Sequence, residues 1–326
     1  MGKSCDTLGI GNAIVDVLSY VDDSFLSAQG LSKGGMMLVD EARSKQLYAL
    51  IGPSTECSGG SVANSMAGIA SLGGRVAFIG KVADDQLGNI FSHDLQSVGV
   101  RYHGAPAPAS GPSTANCLVF VTPDAQRTMA TYIGACALLS EDDVEESLIA
   151  SARSVYVEGY LWNEEHNKAA IRKAMSLARA HGAQVAFTLS DTFCVHAHRD
   201  AFLALVQNDL DLLFANEAEI LALTGSASLD EAITAARGLC PIVAITCGEK
   251  GSVVVTSDHV YRVPTTPVAR LVDTTGAGDL FAAGFLHAQA QGRALPECAA
   301  LGNRCAGEII QQLGARSLKP LKPLAA

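Results

Sequence analysis

The sequence predicts an α/β fold around a central, mostly parallel sheet. Three observations carry that prediction. From residue 141 onward, short apolar runs alternate with longer segments whose apolar residues recur at helical spacing, the pattern of strand–helix units with helices on both sheet faces. The composition, 48% hydrophobic and 17% charged over 326 residues, supplies a large core and excludes a globally disordered chain. A glycine-rich string, TTGAGD at 274–279, stands where an apolar run gives way to a helix, and such a switch can bind an anion.

Taken in order, residues 6–11 read as a buried first strand. Residues 20–57 are mixed, with strand character at 34–40 and a short helix at 41–50. Ser61 to Leu72 is small and apolar at helical spacing, and Arg75 to Gly80 reads as a strand. A helix is expected from Asp84, as its cap, to Ser97, with Leu87, Ile90, Phe91 and Leu95 on one face. The connector 105–113 is rich in turn residues, and strands at 114–121 and 127–133 flank a turn at 122–125. Helix 141–150 leads to strand 154–158, helix 165–180 to strand 184–189, and helix 197–206 to strand 211–214. Helices 217–223 and 229–237 precede strand 242–246, and 252–256 and 259–263 form a meander. A strand should end at Asp273, helices should occupy 277–290 and 295–312, and the tail should be loosely held. The early strands interrupt the alternation and are expected to form a small protruding sheet.

Lys and Arg total 23 against 33 Asp and Glu, a formal net charge of −10, which argues against general nucleic-acid or anionic-membrane binding. No run of 18 apolar residues suggests a membrane span, and the first residues make a poor signal peptide, so a cytoplasmic protein is expected. The nine cysteines are scattered and never spaced CxxC, as buried thiols rather than a disulfide framework. His196 and His198 read as solvated surface at a helix start, not as zinc ligands. Oligomeric state stays open between monomer and homodimer.

The strongest chemical signal is LVDTTGAGD at 271–279. Gly276, Ala277 and Gly278 keep side chains away from a helix start, where backbone N–H groups and the helix dipole favour an anion. Asp279 lies in the first helical turn beside that site. An acid there can take a proton from an alcohol while the amides hold the phosphoryl group under attack.

With CSGGSVANSMAGIASLGGRVAFIGKVADDQLG at 57–88, this string resembles the PfkB or ribokinase family of carbohydrate and nucleoside kinases over nearly the whole chain. The resemblance implies a ribokinase-like three-layer sandwich with a small β-rich lid. Residues 1–16, 58–102 and 136–326 would form the large domain, and 17–57 and 103–135 the lid. It implies ATP and Mg²⁺, Asp279 as general base, amides 276–279 as the anion hole, and Gly59 and Gly60 against the sugar. No GxxxxGK[ST] is present, so a P-loop enzyme is excluded.

Asn12 and Asp16 flank the exit of the first strand, and an ionised carboxylate suits a vicinal diol. The resemblance makes Asp16 the sugar-hydroxyl ligand, and Asn64, one turn beyond Gly60, is expected to face the same sugar. Asn216 and Glu219 form a capping-box pattern. In the family, an Asn-x-x-Glu pair also lies near Mg²⁺, here through water on Glu219. Thr246, Gly248 and Gly251 resemble the nucleotide-side turn, and Asn303 would approach the adenine. Arg127 is either a solvated hairpin residue or, as in adenosine kinases of the family, a lid arginine crossing to the phosphate. Asp273 with nearby carbonyls would hold K⁺.

The strings AFTLSDTF at 186–193 and YVEGYLW at 156–162 are most similar to the adenosine kinase branch, with Phe193 and either Tyr160 or Trp162 near the base. The departure is GGSVANS, where the best-known adenosine kinases carry Thr-Gln. Ribose, fructose, inosine and guanosine stay open as acceptors beside adenosine. A non-enzymatic nucleoside sensor is the reading from another class, and the intact Asp279 and GAGD string argue against it.

Overall fold

The computed structural model describes residues 2–124 and 126–325. Seven parallel strands form the body of a nine-stranded sheet, in the spatial order Arg101–His103, Val76–Ile79, Cys5–Ile10, Ala152–Glu158, Gln184–Thr188, Leu212–Asn216 and Ile242–Thr246. Ser252–Val255 and Val260–Val263 continue that edge antiparallel. The strands are short and buried on both faces, so alternate residues serve opposite layers. Val155 and Val157 pack with Ala170, Ile171 and Phe202 on one side. Tyr156 packs with Phe214, Phe281 and Phe285 on the other. Helices Glu165–Ala180 and Thr192–Asp209 cover the first face, and Ser61–Ser71, Ala277–Ala290 and Leu295–Ile309 the second, giving the expected three layers.

The second sheet has five strands in the order Met36–Leu38, Arg127–Tyr132, Ala115–Val121, Ile14–Tyr20 and Ser54–Ser58. Val15, Val17, Leu118 and Phe120 bury one face with Leu26 and Leu47 of two short helices. The opposite face carries Ile14, Asp16, Cys117 and Thr131, which line a cleft against the large sheet.

Several elements differ from the sequence reading. Ile14–Tyr20 is a full strand of the small sheet, so Asp16 lies in its middle rather than at the exit of the first strand. Residues 14–16, expected with the large domain, therefore belong to the small sheet. The alternation of IVDVLSY is a strand signal overlooked beside the neighbouring polar segment. Ser54–Ser58, Arg101–His103 and helix Asp23–Ala28 are elements beyond those expected from the sequence. Asp85, not Asp84, caps helix Gln86–Ser97, accepting from the Gly88 N–H at 2.8 Å. The expected 141–150 helix is a 3₁₀ turn, Glu141–Asp143, followed by Glu146–Ser151. Helix Thr192–Asp209 starts at the Asp191 cap, so His196 and His198 lie within it, and His198 breaks its geometry at φ −131°. Residues 271–273 are irregular rather than a strand, and the last long helix stops at Ile309. The turn read at 122–125 includes Ala125, which lies outside the described residues.

Candidate active site

The carboxyl ends of the parallel strands open into one cleft of about 390 Å³, a volume suited to a small molecule. The first strand delivers Asn12, and Ala152–Glu158 delivers Glu158 and then Tyr160. Leu212–Asn216 and Ile242–Thr246 end in Asn216 and Thr246 farther along its wall. The small sheet roofs it. Asp16 stands in register with Cys57 on one neighbouring strand and Cys117 on the other, and Cys117 with Thr131 beyond. Residues in register point to one face, so the row brings a single carboxylate over the cleft.

The loop 273–279 builds the floor. Gly276 adopts φ +77°, and Ala315 leaves no room for a Cβ there, so glycine is required twice over. Helix Ala277–Ala290 begins without a side-chain cap. The Ala277 N–H is spent on the Thr274 carbonyl at 3.1 Å. Among the described residues the N–H groups of Gly276, Gly278 and Asp279 have no protein partner, so three of the four amides expected to form an anion hole are open. Asp279 is held from the facing helix Ser61–Ser71. Ser61 Oγ donates to its Oδ1 at 2.6 Å, Asn64 Nδ2 to its Oδ2 at 2.9 Å, and Ser65 Oγ to its backbone carbonyl at 2.9 Å. Burial raises the Asp279 carboxyl above the ordinary aspartate range, against the hydrogen bonds of Ser61 and Asn64 and the charge of Arg316. Asn64, expected to face a sugar, lines the cleft and also binds the acid.

The turn before that helix is set by close approach. A Cβ at Gly59 would strike the Asp16 carboxylate, and Gly60, at φ +91°, lies against the Asn12 carbonyl. Burial pushes Asp16 up to about 6, opposed by the positive charges of Arg316 and Arg127. Glu158 was overlooked in the sequence. It is fully buried, and its two oxygens accept the Asn12 and Val62 N–H groups at 2.9 Å each, so it ties the first strand's exit to the start of the Asp279-binding helix. Burial pushes its carboxyl up to about 7. An acid closing the apolar run of a strand, as in YVEG, was the available signal. Ser61 had none beyond its place between Gly60 and Asn64.

Asn216 and Glu219 form the expected capping box. Asn216 N and Nδ2 donate to Glu219 at 2.9 and 2.7 Å, and Glu219 N donates back at 2.8 Å. Glu219 is buried on the cleft wall without a cationic partner among the described residues, and burial pushes it up to about 7. A carboxylate so placed fits a hydrated Mg²⁺. Arg127 reaches from the small sheet to the floor loop, donating to Thr275 Oγ1 at 2.6 Å and pairing with Asp273 at 2.6 Å. Asp273 also accepts the Thr275 and Gly314 N–H groups at 3.0 and 2.8 Å. These residues do not fit K⁺ on the Asp273 carboxylate, because the guanidinium already neutralises it and would repel a second cation.

Tyr160 lines the cleft with its ring 6.0 Å from that of Phe193, and its hydroxyl donates to the Ser190 carbonyl at 3.3 Å. Trp162 is instead core, packed edge-on against Phe202. Gly248 and Gly251 lie outside the cleft lining, and Gly251 is required by φ +92° against the Val263 carbonyl. Asn303 is also outside it, its amide donating to the Val263 carbonyl at 3.0 Å.

The sequence profile described as pfkB family carbohydrate kinase matches residues 52–322. The chain belongs to the pfkB family. Members of this family are ATP-dependent phosphotransferases, and the ribokinase-like architecture accords with that membership. The pfkB kinase is similar to the adenosine kinase of Sinorhizobium meliloti, at 48% identity and TM-score 0.92 over 98% of each chain. It is also similar to a probable sugar kinase protein from Rhizobium etli, at 44% identity and TM-score 0.93 over 100% of this chain and 98% of that one. The adenosine kinase of Saccharomyces cerevisiae is 26% identical over 94% of both chains.

Proposed function

We propose that this pfkB kinase transfers the γ-phosphoryl group of ATP to the 5′-hydroxyl of a ribonucleoside, with adenosine the acceptor and AMP and ADP the products. The observation that carries the reading is the placing of Asp279 and three unpartnered amides in the same cleft that Asp16 overhangs. Asp16 suits the ribose diol, and the Tyr160–Phe193 wall offers a surface for a flat base. The 48% identity to an adenosine kinase supports the base assignment.

In the reaction, Asp279 takes the 5′-hydroxyl proton as that oxygen attacks the γ-phosphorus in line, and the bond from phosphorus to the bridging oxygen breaks. Ser61 and Asn64 hold the carboxylate toward the acceptor. The amides of Gly276, Gly278 and Asp279 receive the charge that develops on the phosphoryl oxygens. Glu219 and Asn216 would hold Mg²⁺ through water, and the ion would neutralise phosphate charge. Arg127, already beside the floor loop, is placed to meet the transferring group from the roof. A roof that closes over the cleft limits attack by water. We place the activity in the cytoplasm, where nine unpaired cysteines stay reduced, and in purine salvage.

A sugar acceptor is the second reading, favoured by the similarity to a probable sugar kinase at 44% identity and by the GGSVANS string. Purified protein with MgATP and adenosine, inosine, guanosine, ribose or fructose separates the two, scored by product mass. The highest kcat/KM is expected for adenosine. A higher value for ribose or fructose would overturn the nucleoside reading and leave the phosphotransferase intact.

A further inference from the structure

The segment following helix Leu295–Ile309 belongs to neither signature, yet three consecutive residues of it touch both. The Gly314 N–H donates to Asp273 at 2.8 Å, at the root of the floor loop. Ala315 is buried against Gly276, in the space a Cβ at 276 would need. Arg316 then crosses to the turn that carries Gly59 and Gly60. Its Nε donates to the Ser58 carbonyl at 2.9 Å, its Nη1 to the Ala63 carbonyl at 2.7 Å, and its Nη2 to Ser58 Oγ at 3.0 Å. Ser58 is anchored from behind, its N–H and Oγ donating to Asp94 at 2.7 and 2.5 Å. The turn spanned by the guanidinium also holds Ser61, which binds Asp279.

We propose that residues 314–316 form a strap coupling the nucleotide loop to the acceptor turn, with Arg316 the positioning residue that sets the Gly59–Ser61 turn against Asp279. The proposal rests on the kinase reading of the cleft and not on which alcohol is accepted. Its geometry explains why a planar, forked side chain is used. A guanidinium can reach three oxygens on both sides of a tight turn, where a lysine ammonium acts as a single point. A shift of the floor loop around bound phosphate moves Gly314 and Ala315, and Arg316 carries that movement to the residues under the acceptor.

The same guanidinium adds a charge effect. All three of its contacts are neutral oxygens, so its field acts on the acids around it, Asp94, Asp16 and Asp279. Asp279 also faces Asp16 from the small sheet, Glu158, Tyr156 and Tyr160 from the central strand and its exit, and Glu219 from the neighbouring helix. Arg127 acts on Asp16 from the roof. With Arg316 neutralised, the surrounding acids hold a proton on Asp279 to higher pH.

The test compares wild type with Arg316→Gln, Arg316→Lys and Ser58→Ala, each checked for folding by thermal denaturation. Acceptor affinity is measured by calorimetry with and without a non-hydrolysable ATP analogue, and kcat is followed against pH. Wild type should bind acceptor at least about 5-fold more tightly with the analogue present. That factor should fall toward one in Arg316→Gln and shrink in Ser58→Ala. The acid limb of kcat should move to higher pH in Arg316→Gln and stay in place in Arg316→Lys, which keeps the charge and loses the fork. Unchanged coupling in folded Arg316→Gln overturns the proposal, whether or not the acid limb moves. If that variant does not fold, unchanged coupling in both Arg316→Lys and Ser58→Ala overturns it. If no alcohol is phosphorylated, the acceptor reading fails alone. The strap is then judged on hydrogen exchange of residues 58–63, where protection gained on binding the ATP analogue should be lost in Arg316→Gln, and protection equal to wild type rejects it.

Discussion

Asp279 accepts from two neutral donors and has no direct counter-ion among the described residues, so the donors orient the carboxylate and lower its pKa by less than burial raises it. Asp279→Asn should keep the fold and lower kcat at least about 10²-fold, the usual cost of a lost general base. Purified variant and wild type at saturating MgATP and acceptor provide the comparison, and a folded variant with near-normal kcat removes Asp279 from that role. The base must be ionised, and burial raises its pKa, so kcat should fall with falling pH from above the ordinary aspartate range. Asp16→Ala should weaken acceptor binding at least about tenfold, the scale of a charge-assisted hydrogen bond. A 2′-deoxynucleoside should lose little more in the variant, and equal ribonucleoside affinities would place Asp16 outside the acceptor site. Glu158 has a consequence for stability. Its folded pKa of about 7 lies above the ordinary 4.5, so the folded state holds an extra proton between those values. Its contribution therefore favours folding less as pH rises through that window, by on the order of 3 kcal/mol in full. Glu158→Gln should flatten the difference in unfolding free energy between pH 5 and pH 8, and an unchanged difference would show that Glu158 does not titrate there.

The strand pair Ala115–Val121 and Arg127–Tyr132 brings one arginine to the far side of the cleft. Arg127 and Asp273 side chains are 12% and 5% exposed, so this is a buried pair, and removing one partner strands the other charge. Arg127→Ala should lower Tm and reduce phosphoryl transfer at least about tenfold, while MgATP hydrolysis falls less because the roof closes poorly. Equal losses in transfer and hydrolysis would argue against a closing role. Helix Glu217–Thr224 shows how one local device serves two ends. Its capping box satisfies the helix start, and the same geometry holds Glu219 on the cleft wall. The box was legible from Asn216 and Glu219 alone, because capping is a contact between residues three apart.

Asp16 of the small sheet and Tyr160, Phe193 and Asp279 of the large layer line one cleft together. A nucleoside bound as proposed would fill both parts, whereas free ribose would leave the aromatic wall bare. Stacking adds about 0.5–1.5 kcal/mol beyond the area it buries. Tyr160→Ala should therefore narrow the ratio of kcat/KM for adenosine over ribose by roughly 2- to 12-fold, at 1.4 kcal/mol per tenfold. An unchanged ratio would put the base elsewhere in the cleft.

The sequence alone determined the α/β class, the long helices and most of the parallel strands, because apolar period, caps and turn glycines are local properties. Helices 165–180 and 277–290 and strand 242–246 were read to the residue. It also marked Asp279, Gly60 and the Asn216–Glu219 pair, whose chemistry is written in contiguous strings. Tertiary structure decided which strand carries Asp16, since Ile14–Tyr20 is paired with Ala115–Val121 about a hundred residues away. It alone separated Tyr160 on the cleft wall from Trp162 in the core, and set the Arg127 guanidinium against Asp273. Ser61 and Arg316 became visible only once distant segments met, Ser61 and Asp279 being 218 residues apart. A buried polar side chain differs from a solvated one by what packs around it, and local sequence does not specify those distant neighbours.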